Sequence, residues 1–510
     1  MSPPTVTVVI GWLADFFRFV WALLYWNTRK SWFQLGGRRG RSPCQNPSDS
    51  GRAFETQCEA CLQWDRPARF ARVCPLLVAT PQGLRCSVDT PRVRPFWGRV
   101  LRYVGGSLLG LYLIGAIGIF VFLRTIGYPI SIFHVTWPGL WYRVPQARSA
   151  YFFEQGNKAF AAGHVRQGLL YFENAYKFDP GNYLAGLALA RNYQTTQPII
   201  SDAVYRRLYR EHPGQRAATA QDWFRALLAR GDFTQVAFLA AHELVTNSLH
   251  ASPWMRALIF ATRQTHDDQT LQTLLAGTDI HVKPWHTLLE TELLLRADKT
   301  TAARVNLLRP WPLNSPPYAL YYQVENLLAS GENYPAFDQL GRSVGHLDDE
   351  TVLALRLAAY ARAGLKSQLA FEFNTLLSRP LTPPAIKILS AHLIRYPDPA
   401  LFQLFYAKFE RAALPLTTEN AGSHFSVLCV AGVHQDRARL EDQIRRLKSL
   451  AAVSFLRLNL VADFFNNESA ALRIATFLPI LPVPLEVTYA LLERYPGPSS
   501  RPATAAPRTP

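Results

Sequence analysis

The residues best suited to chemistry are five cysteines that fall within one short basic segment, residues 29–102. Cys58 and Cys61 form a C-x2-C pair in the stretch ETQCEACLQW, and three single cysteines flank the pair: Cys44, Cys74 and Cys86. A pair with this spacing supplies two thiolates to a tetrahedral zinc site, which needs four ligands. The segment contains no histidine. Four of these five thiols are therefore the predicted ligands of a Zn²⁺ ion.

Two other states of these cysteines stay open. An iron–sulfur cluster uses the same thiolate ligands, and the thiols could also carry no ligand. The segment is rich in Arg and Pro and has too few periodic apolar residues to form a hydrophobic core. A segment of this size without a core usually needs a stabilising crosslink, such as a bound metal. A thioredoxin-like redox pair is disfavoured, because no βαβ pattern surrounds CEAC.

The segment that follows is long and apolar enough to cross a membrane. Val104 to Leu123 reads VGGSLLGLYLIGAIGIFVFL, twenty residues without a charge between Arg102 and Arg124, which predicts a transmembrane helix over residues 103–124. The N-terminal residues 1–28 are also hydrophobic but carry Asp15 and Arg18. They predict a helix that either crosses the membrane or lies in its interface.

Charge and cysteine placement together predict a topology. Residues 29–102 hold 14 basic and 5 acidic residues, a net +9 of the chain's +17. The positive-inside rule puts this segment on the cytoplasmic side, where thiols stay reduced and Arg side chains can bind lipid headgroups. A single crossing would then place the rest of the chain outside the cytoplasm, in the periplasm for an inner-membrane protein. No nucleic-acid partner is expected, because Phe54, Trp64 and Phe70 give only thin support for a folded basic platform with interleaved aromatic residues.

Beyond the apolar segment the sequence is periodic. The 34 residues from Ser149 to Asn182, SAYFFEQGNKAFAAGHVRQGLLYFENAYKFDPGN, resemble a tetratricopeptide repeat at seven signature positions: Gly156, Phe160, Gly163, Gly168, Phe172, Ala175 and Pro180. Glycines typical of turns then recur at near-multiples of that length: Gly163, Gly231, Gly331, Gly364 and Gly432. The resemblance implies an all-α fold, a TPR-like α-solenoid of about ten helix pairs over residues 149–492. Residues 493–510 are of low complexity and predict a disordered tail.

The same resemblance implies where a partner would bind. In this family the first helix of each pair lines the concave surface, and by family register eight residues take inward positions: Phe153, Asn157, Leu187, Arg191, Gln221, Arg225, Tyr321 and Glu325. Their mixture of Arg, aromatic and amide groups suits a protein or peptide partner. The family's carboxylate clamp is not supported, because Phe153 stands where that clamp has Lys.

No P-loop, nucleophile elbow or histidine-based metal motif is present in the sequence. We therefore expect a membrane-anchored scaffold and not an enzyme. Two alternatives stay open: an enzyme or enzyme subunit with an unrecognised site in the solenoid, and a regulator in which metal loss in the cysteine segment alters partner binding across the membrane.

Overall fold

The structure is a computed structural model that describes residues 77–80, 83–86, 105–246, 251–312, 314–449, 458–467 and 472–496. The chain forms two compact units, Met1–Val144 and Pro145–Pro510. The predicted N-terminal helix and four of the five clustered cysteines (Cys44, Cys58, Cys61 and Cys74) lie outside the described residues, as does the tail from residue 497 onward.

The first unit contains a β-hairpin that the sequence analysis did not predict. Strands β1 (Leu77–Thr80) and β2 (Gly83–Cys86) pair antiparallel, with Leu77 opposite Cys86. The predicted membrane span corresponds to α1 (Gly106–Ile126). In the described part of the chain, it is the one helix long and apolar enough to cross a membrane. A short helix, α2 (Ile132–Thr136), and a 3₁₀ turn (Pro138–Leu140) follow.

The secondary-structure elements that the structure describes in the second unit are helices. In chain order the helices are α3 (Arg143–Ala161, which begins at the end of the first unit), α4 (Val165–Phe178), α5 (Tyr183–Tyr193), α6 (Pro198–Glu211), α7 (Arg216–Arg230), α8 (Phe233–Thr246), α9 (Ala251–Thr265), α10 (Asp268–Ala276), α11 (His286–Arg296), α12 (Thr300–Leu308), α13 (Pro317–Ala329), α14 (Asn333–Ser343), α15 (Asp349–Arg362), α16 (Lys366–Ser378), α17 (Pro383–Arg395), α18 (Pro399–Ala412), α19 (Ala421–Val433), α20 (Arg437–Lys448), α21 (Leu458–Phe465), α22 (Ile474–Phe477) and α23 (Leu485–Arg494). Short 3₁₀ turns lie at Pro213–Gln215, Lys283–Trp285 and Leu478–Ile480.

The first helix pair of this unit packs closely because two glycines remove side chains from its interface. A Cβ atom on Gly156 of α3 would lie 2.5 Å from the ring of Phe172 of α4. On the other side of the same interface, Gly168 lies against the ring of Phe160. The predicted close approach of these helices at Gly156 and Gly168 is confirmed.

Four of the five predicted glycine turns are also confirmed. Gly163, Gly231, Gly331 and Gly364 each follow a first helix with φ between 70° and 80°, a conformation that glycine adopts without steric cost. The fifth prediction is wrong. Gly432 lies inside α19, where the ring of Phe465 packs against it, and Gln435 makes the turn with φ 54°.

Several helix starts follow from local capping. Asn182, Asp348 and Asp398 each accept a hydrogen bond from a backbone N–H in the first turn of the helix that follows. Such caps satisfy N–H groups that have no partner within the helix. Four helices begin with Pro in the first turn, where its missing N–H costs nothing: α6, α13, α17 and α18.

The core of the second unit is continuous from Leu187 of α5 to Leu492 of α23. Helices that come first in their pairs also contact one another along the chain, α13 with α15, α15 with α17, and α17 with α19. A polar cluster joins α9, α11 and α13; its Glu292 and Tyr322 are buried and its Arg263 is partly exposed. Arg263 donates to both carboxylate oxygens of Glu292 at 2.8 and 2.6 Å, and the Tyr322 hydroxyl donates to Glu292 at 2.7 Å.

Candidate partner-binding groove

A groove lies along the first helices α9, α13, α15 and α17, and it encloses a cavity of about 460 Å³. The terminal helix α23 forms another part of its wall through Leu485, Glu486 and Tyr489. The groove therefore joins residues that are far apart in sequence. Its lining contains aromatic and charged side chains together with aliphatic ones.

The aromatic part of the groove centres on Arg256 of α9. Its guanidinium lies 4.5 Å from the ring centroid of Tyr489 and 5.6 Å from that of Tyr321, within the range of cation–π attraction. The ring of Tyr321 stacks on Tyr318 with centroids 5.7 Å apart, and its hydroxyl donates to Glu325 at 3.3 Å. These contacts place the Arg256 guanidinium against the rings of Tyr321 and Tyr489, and Tyr318 stacks on Tyr321.

The ionic part of the groove joins α17 to α23. Arg395 donates through Nε to Glu493 at 2.6 Å and through Nη2 at 3.3 Å. Burial alone would lower the pKa of the Arg395 guanidinium, but the Glu493 carboxylate raises it above its ordinary value. Lys387 lies 2.6 Å from a carboxylate oxygen of Glu350 on α15 and 3.8 Å from one of Glu486 on α23.

Three residues of α23 share the face that carries these contacts. Glu486, Tyr489 and Glu493 are spaced by three and four positions, so they fall on one side of a helix. The groove thus holds a helix that presents two carboxylates and an aromatic ring to basic and aromatic side chains.

His392 of α17 is a titratable residue of the groove wall whose pKa is changed by burial. Only 5 % of the residue is exposed, and Nε2 has no hydrogen-bond partner among the described residues. Burial, and then the nearby Arg395 charge, lower the pKa of His392 to about 4. The imidazole is therefore neutral at neutral pH.

The eight predicted partner-binding residues all lie on helices that come first in their pairs, but they do not form one site. Tyr321 and Glu325 line the cavity. Leu187 is buried in the core, and Phe153 is half-buried, with its ring centroid 5.6 Å from that of Phe172. The other four are exposed: Asn157, Arg191, Gln221 and Arg225.

Among the exposed residues, Arg191 of α5 makes an ion pair with Asp222 of α7 at 2.6 Å. The pair bridges two successive first helices beside Gln221 and Arg225. This exposed patch on α5 and α7 carries two Arg side chains, of which Arg191 is paired with the Asp222 carboxylate.

The sequence analysis missed Arg256, Lys387, His392 and Arg395. The predicted inward positions fall on α3, α5, α7 and α13, and none of them falls on α9 or α17. The contribution of α23 had no such signal, because Arg395 and Glu493 are 98 positions apart.

The structure describes only one of the five predicted metal ligands. Cys86 ends β2, while the other four cysteines of the cluster lie outside the described residues. Within the part of the chain that the structure describes, no group of three or more His, Cys, Asp or Glu side chains could hold a metal ion. The zinc site stays a prediction. Cys429 is free and buried in α19, and burial raises the pKa of its thiol to about 12.

A scan against models of known protein families finds no match, and searches of curated proteins and of solved structures find none either.

Proposed function

We propose that this protein is a membrane-anchored, TPR-like scaffold that binds a protein or peptide partner through the first helices of its repeats. The main support for this proposal is the packing of α23 against the first helices. A helix with carboxylates and an aromatic ring packs on the first helices through Arg395, Lys387 and Arg256. A surface of first helices that binds one helix with carboxylates and an aromatic ring is suited to bind a similar helix of a partner.

The succession of helix pairs supports a solenoid. Positive-φ residues turn the chain after several first helices, at His266 and Asp298 as well as at the four glycines. Neighbouring first helices contact one another along the chain. Stacked pairs of this kind expose one extended surface made of first helices.

The patch on α5 and α7 is the part of that surface we propose for the partner. The groove along α13, α15 and α17 already holds α23, whereas Arg191, Gln221 and Arg225 are exposed. Arg side chains favour partners with carboxylates. We therefore propose an acidic segment of a protein as the partner, with α1 as the membrane anchor and the cysteine segment as a zinc module.

Site-specific photocrosslinking tests this proposal. A photoreactive residue is placed at Gln221, on a first helix, in the full-length chain expressed in its own host membrane. The control is Tyr334 on α14, a second helix, where 85 % of the residue is exposed. We expect a discrete protein adduct from position 221 and none from position 334. Equal adducts at both positions, or none at 221, would contradict the proposal.

Charge reversal gives a second readout. Arg225→Glu should abolish the adduct formed at position 221, because it places a carboxylate where we propose that an acidic segment binds. Arg445→Glu, at a side chain that is 78 % exposed on the second helix α20, should leave the adduct intact.

A further inference from the structure

The chain that follows α1 does not leave it but returns along it. Gly127 ends the helix with φ 98°, a left-handed conformation, and α2 then packs against α1. The Tyr112 hydroxyl donates to the carbonyl oxygen of Thr136 at 2.6 Å. At 1.5 Å per residue, Tyr112 lies about 22 Å back along α1 from Gly127. The returning segment therefore retraces most of a hydrocarbon core that is about 30 Å thick.

Several backbone N–H groups of the returning segment are paired within the hairpin. The N–H groups of Gly127, Tyr128 and Ile130 donate to carbonyl oxygens of the chain, and that of Ser131 donates to Nδ1 of His134 at 3.4 Å. Pro129 has no N–H. Unpaired backbone groups cost several kcal/mol each in hydrocarbon, so each of these hydrogen bonds lowers the cost of placing the segment there.

Carbonyl groups of α2 are satisfied by side chains as well. The Trp141 indole donates to Val135 O at 2.9 Å, and the Thr136 hydroxyl donates to Ile132 O at 3.0 Å. Together with the bond from Tyr112, these contacts close the returning segment onto itself and onto α1.

The outer surface of this structure is apolar. Phe133, Trp137, Trp141 and Tyr142 expose between 52 and 67 % of their surface, and 6 % of the apolar window of α1 is buried. From Gly105 to Tyr142 the sequence carries one charged residue, Arg124, close to the turn. An exposed surface of this kind marks contact with lipid or with another protein.

We infer that α1 and residues 127–142 form one membrane-inserted hairpin, covered by lipid, with residues 105 and 143 on the same side of the membrane. Trp137, Trp141 and Tyr142 then lie at the headgroup level of that side, where aromatic side chains concentrate. Arg124, near the turn, extends its guanidinium toward the opposite headgroups.

This topology replaces the single crossing expected from the sequence. The basic segment keeps residue 105 on the cytoplasmic side, so the helical repeats are cytoplasmic too.

Tag accessibility tests the topology in the full-length chain. One epitope is inserted after Arg92 and another is appended after Pro510, and antibody binding is measured on sealed membrane vesicles before and after permeabilisation. We expect both epitopes to be accessible together or protected together in vesicles of either orientation. Accessibility of one and protection of the other in the same vesicles would overturn the hairpin. This result does not depend on whether a protein partner is captured by the repeats.

Tryptophan quenching tests whether lipid covers the hairpin. The full-length protein is reconstituted into phosphatidylcholine vesicles with brominated acyl chains, which quench nearby Trp fluorescence. Trp137→Phe should reduce the quenched fraction, because the variant removes a fluorophore that touches lipid. The matched control is Trp285→Phe, at a core residue that is 1 % exposed, and it should leave the quenched intensity unchanged. No difference between Trp137→Phe and wild type would exclude lipid contact and overturn the inference.

Discussion

The pH dependence of stability is set in part by one buried side chain of the groove, His392. Burial and the Arg395 charge lower the pKa of its imidazole from 6.5 to about 4 in the folded chain. The unfolded chain therefore binds more protons between these values, and stability falls as pH falls from 6.5 toward 4. The full difference in pKa corresponds to about 3 kcal/mol, of which about 2 kcal/mol is lost by about pH 5.

His392→Phe removes this titration and keeps an aromatic ring beside Phe373 and Tyr396, whose centroids lie 5.5 and 5.2 Å from the imidazole. Urea midpoints of the full-length protein in mild detergent are compared at about pH 7 and about pH 5. Between these conditions we expect wild type to lose about 2 kcal/mol more than the variant. Other histidines with lowered pKa are retained in both chains, so the difference isolates His392.

The exposed His346 provides the control. His346→Gln should lose the same stability on acidification as wild type. An equal loss in wild type and His392→Phe would refute the reasoning, because it would show that His392 is not the group whose protonation destabilises the fold.

Three further predictions follow from other contacts. Gly156→Ala should cost about 1–3 kcal/mol of unfolding free energy, because its Cβ would press on a buried ring. Lys158→Ala, two residues along the same helix at a surface ion pair, should change it by less than about 0.5 kcal/mol. Glu292→Gln should lower stability by about 1–3 kcal/mol through loss of a charge-assisted bond to a partly exposed guanidinium. If the cysteine segment binds zinc, elemental analysis should find about one zinc per wild-type chain and none after Cys58→Ser or Cys61→Ser, since thiolates are its only ligands.

The helical pairs could be predicted from sequence because their signals are local. Gly163 and Gly231 end helices through backbone conformation alone, and Gly168 permits a close approach within one helix pair. Gly432 shows the limit of that reasoning. Glycine serves both turns and close packing, and at this position the ring of Phe465, distant in sequence, decides between them.

The groove could be predicted only in part, for a related reason. Tyr321 and Glu325 follow from the register of a single repeat. Lys387 and Arg395 acquire their partners from α23, which returns from the end of the chain to the first helices. Repeat periodicity describes contacts between neighbouring pairs, so it contains no information on a terminal helix that packs across several of them.

The apolar segment shows that a hydropathy pattern does not by itself give the membrane topology of the chain. A hydropathy window identifies α1 as a helix long and apolar enough to cross a membrane, but it gives no information on the path of the chain after Leu123. The return of the chain depends on a left-handed Gly127, a donorless Pro129 and a hydrogen bond from Tyr112 to Thr136. None of these features changes mean hydropathy. In the hairpin that we propose, each lowers the cost of placing the segment in lipid, and together they set the side of the membrane on which the helical pairs lie.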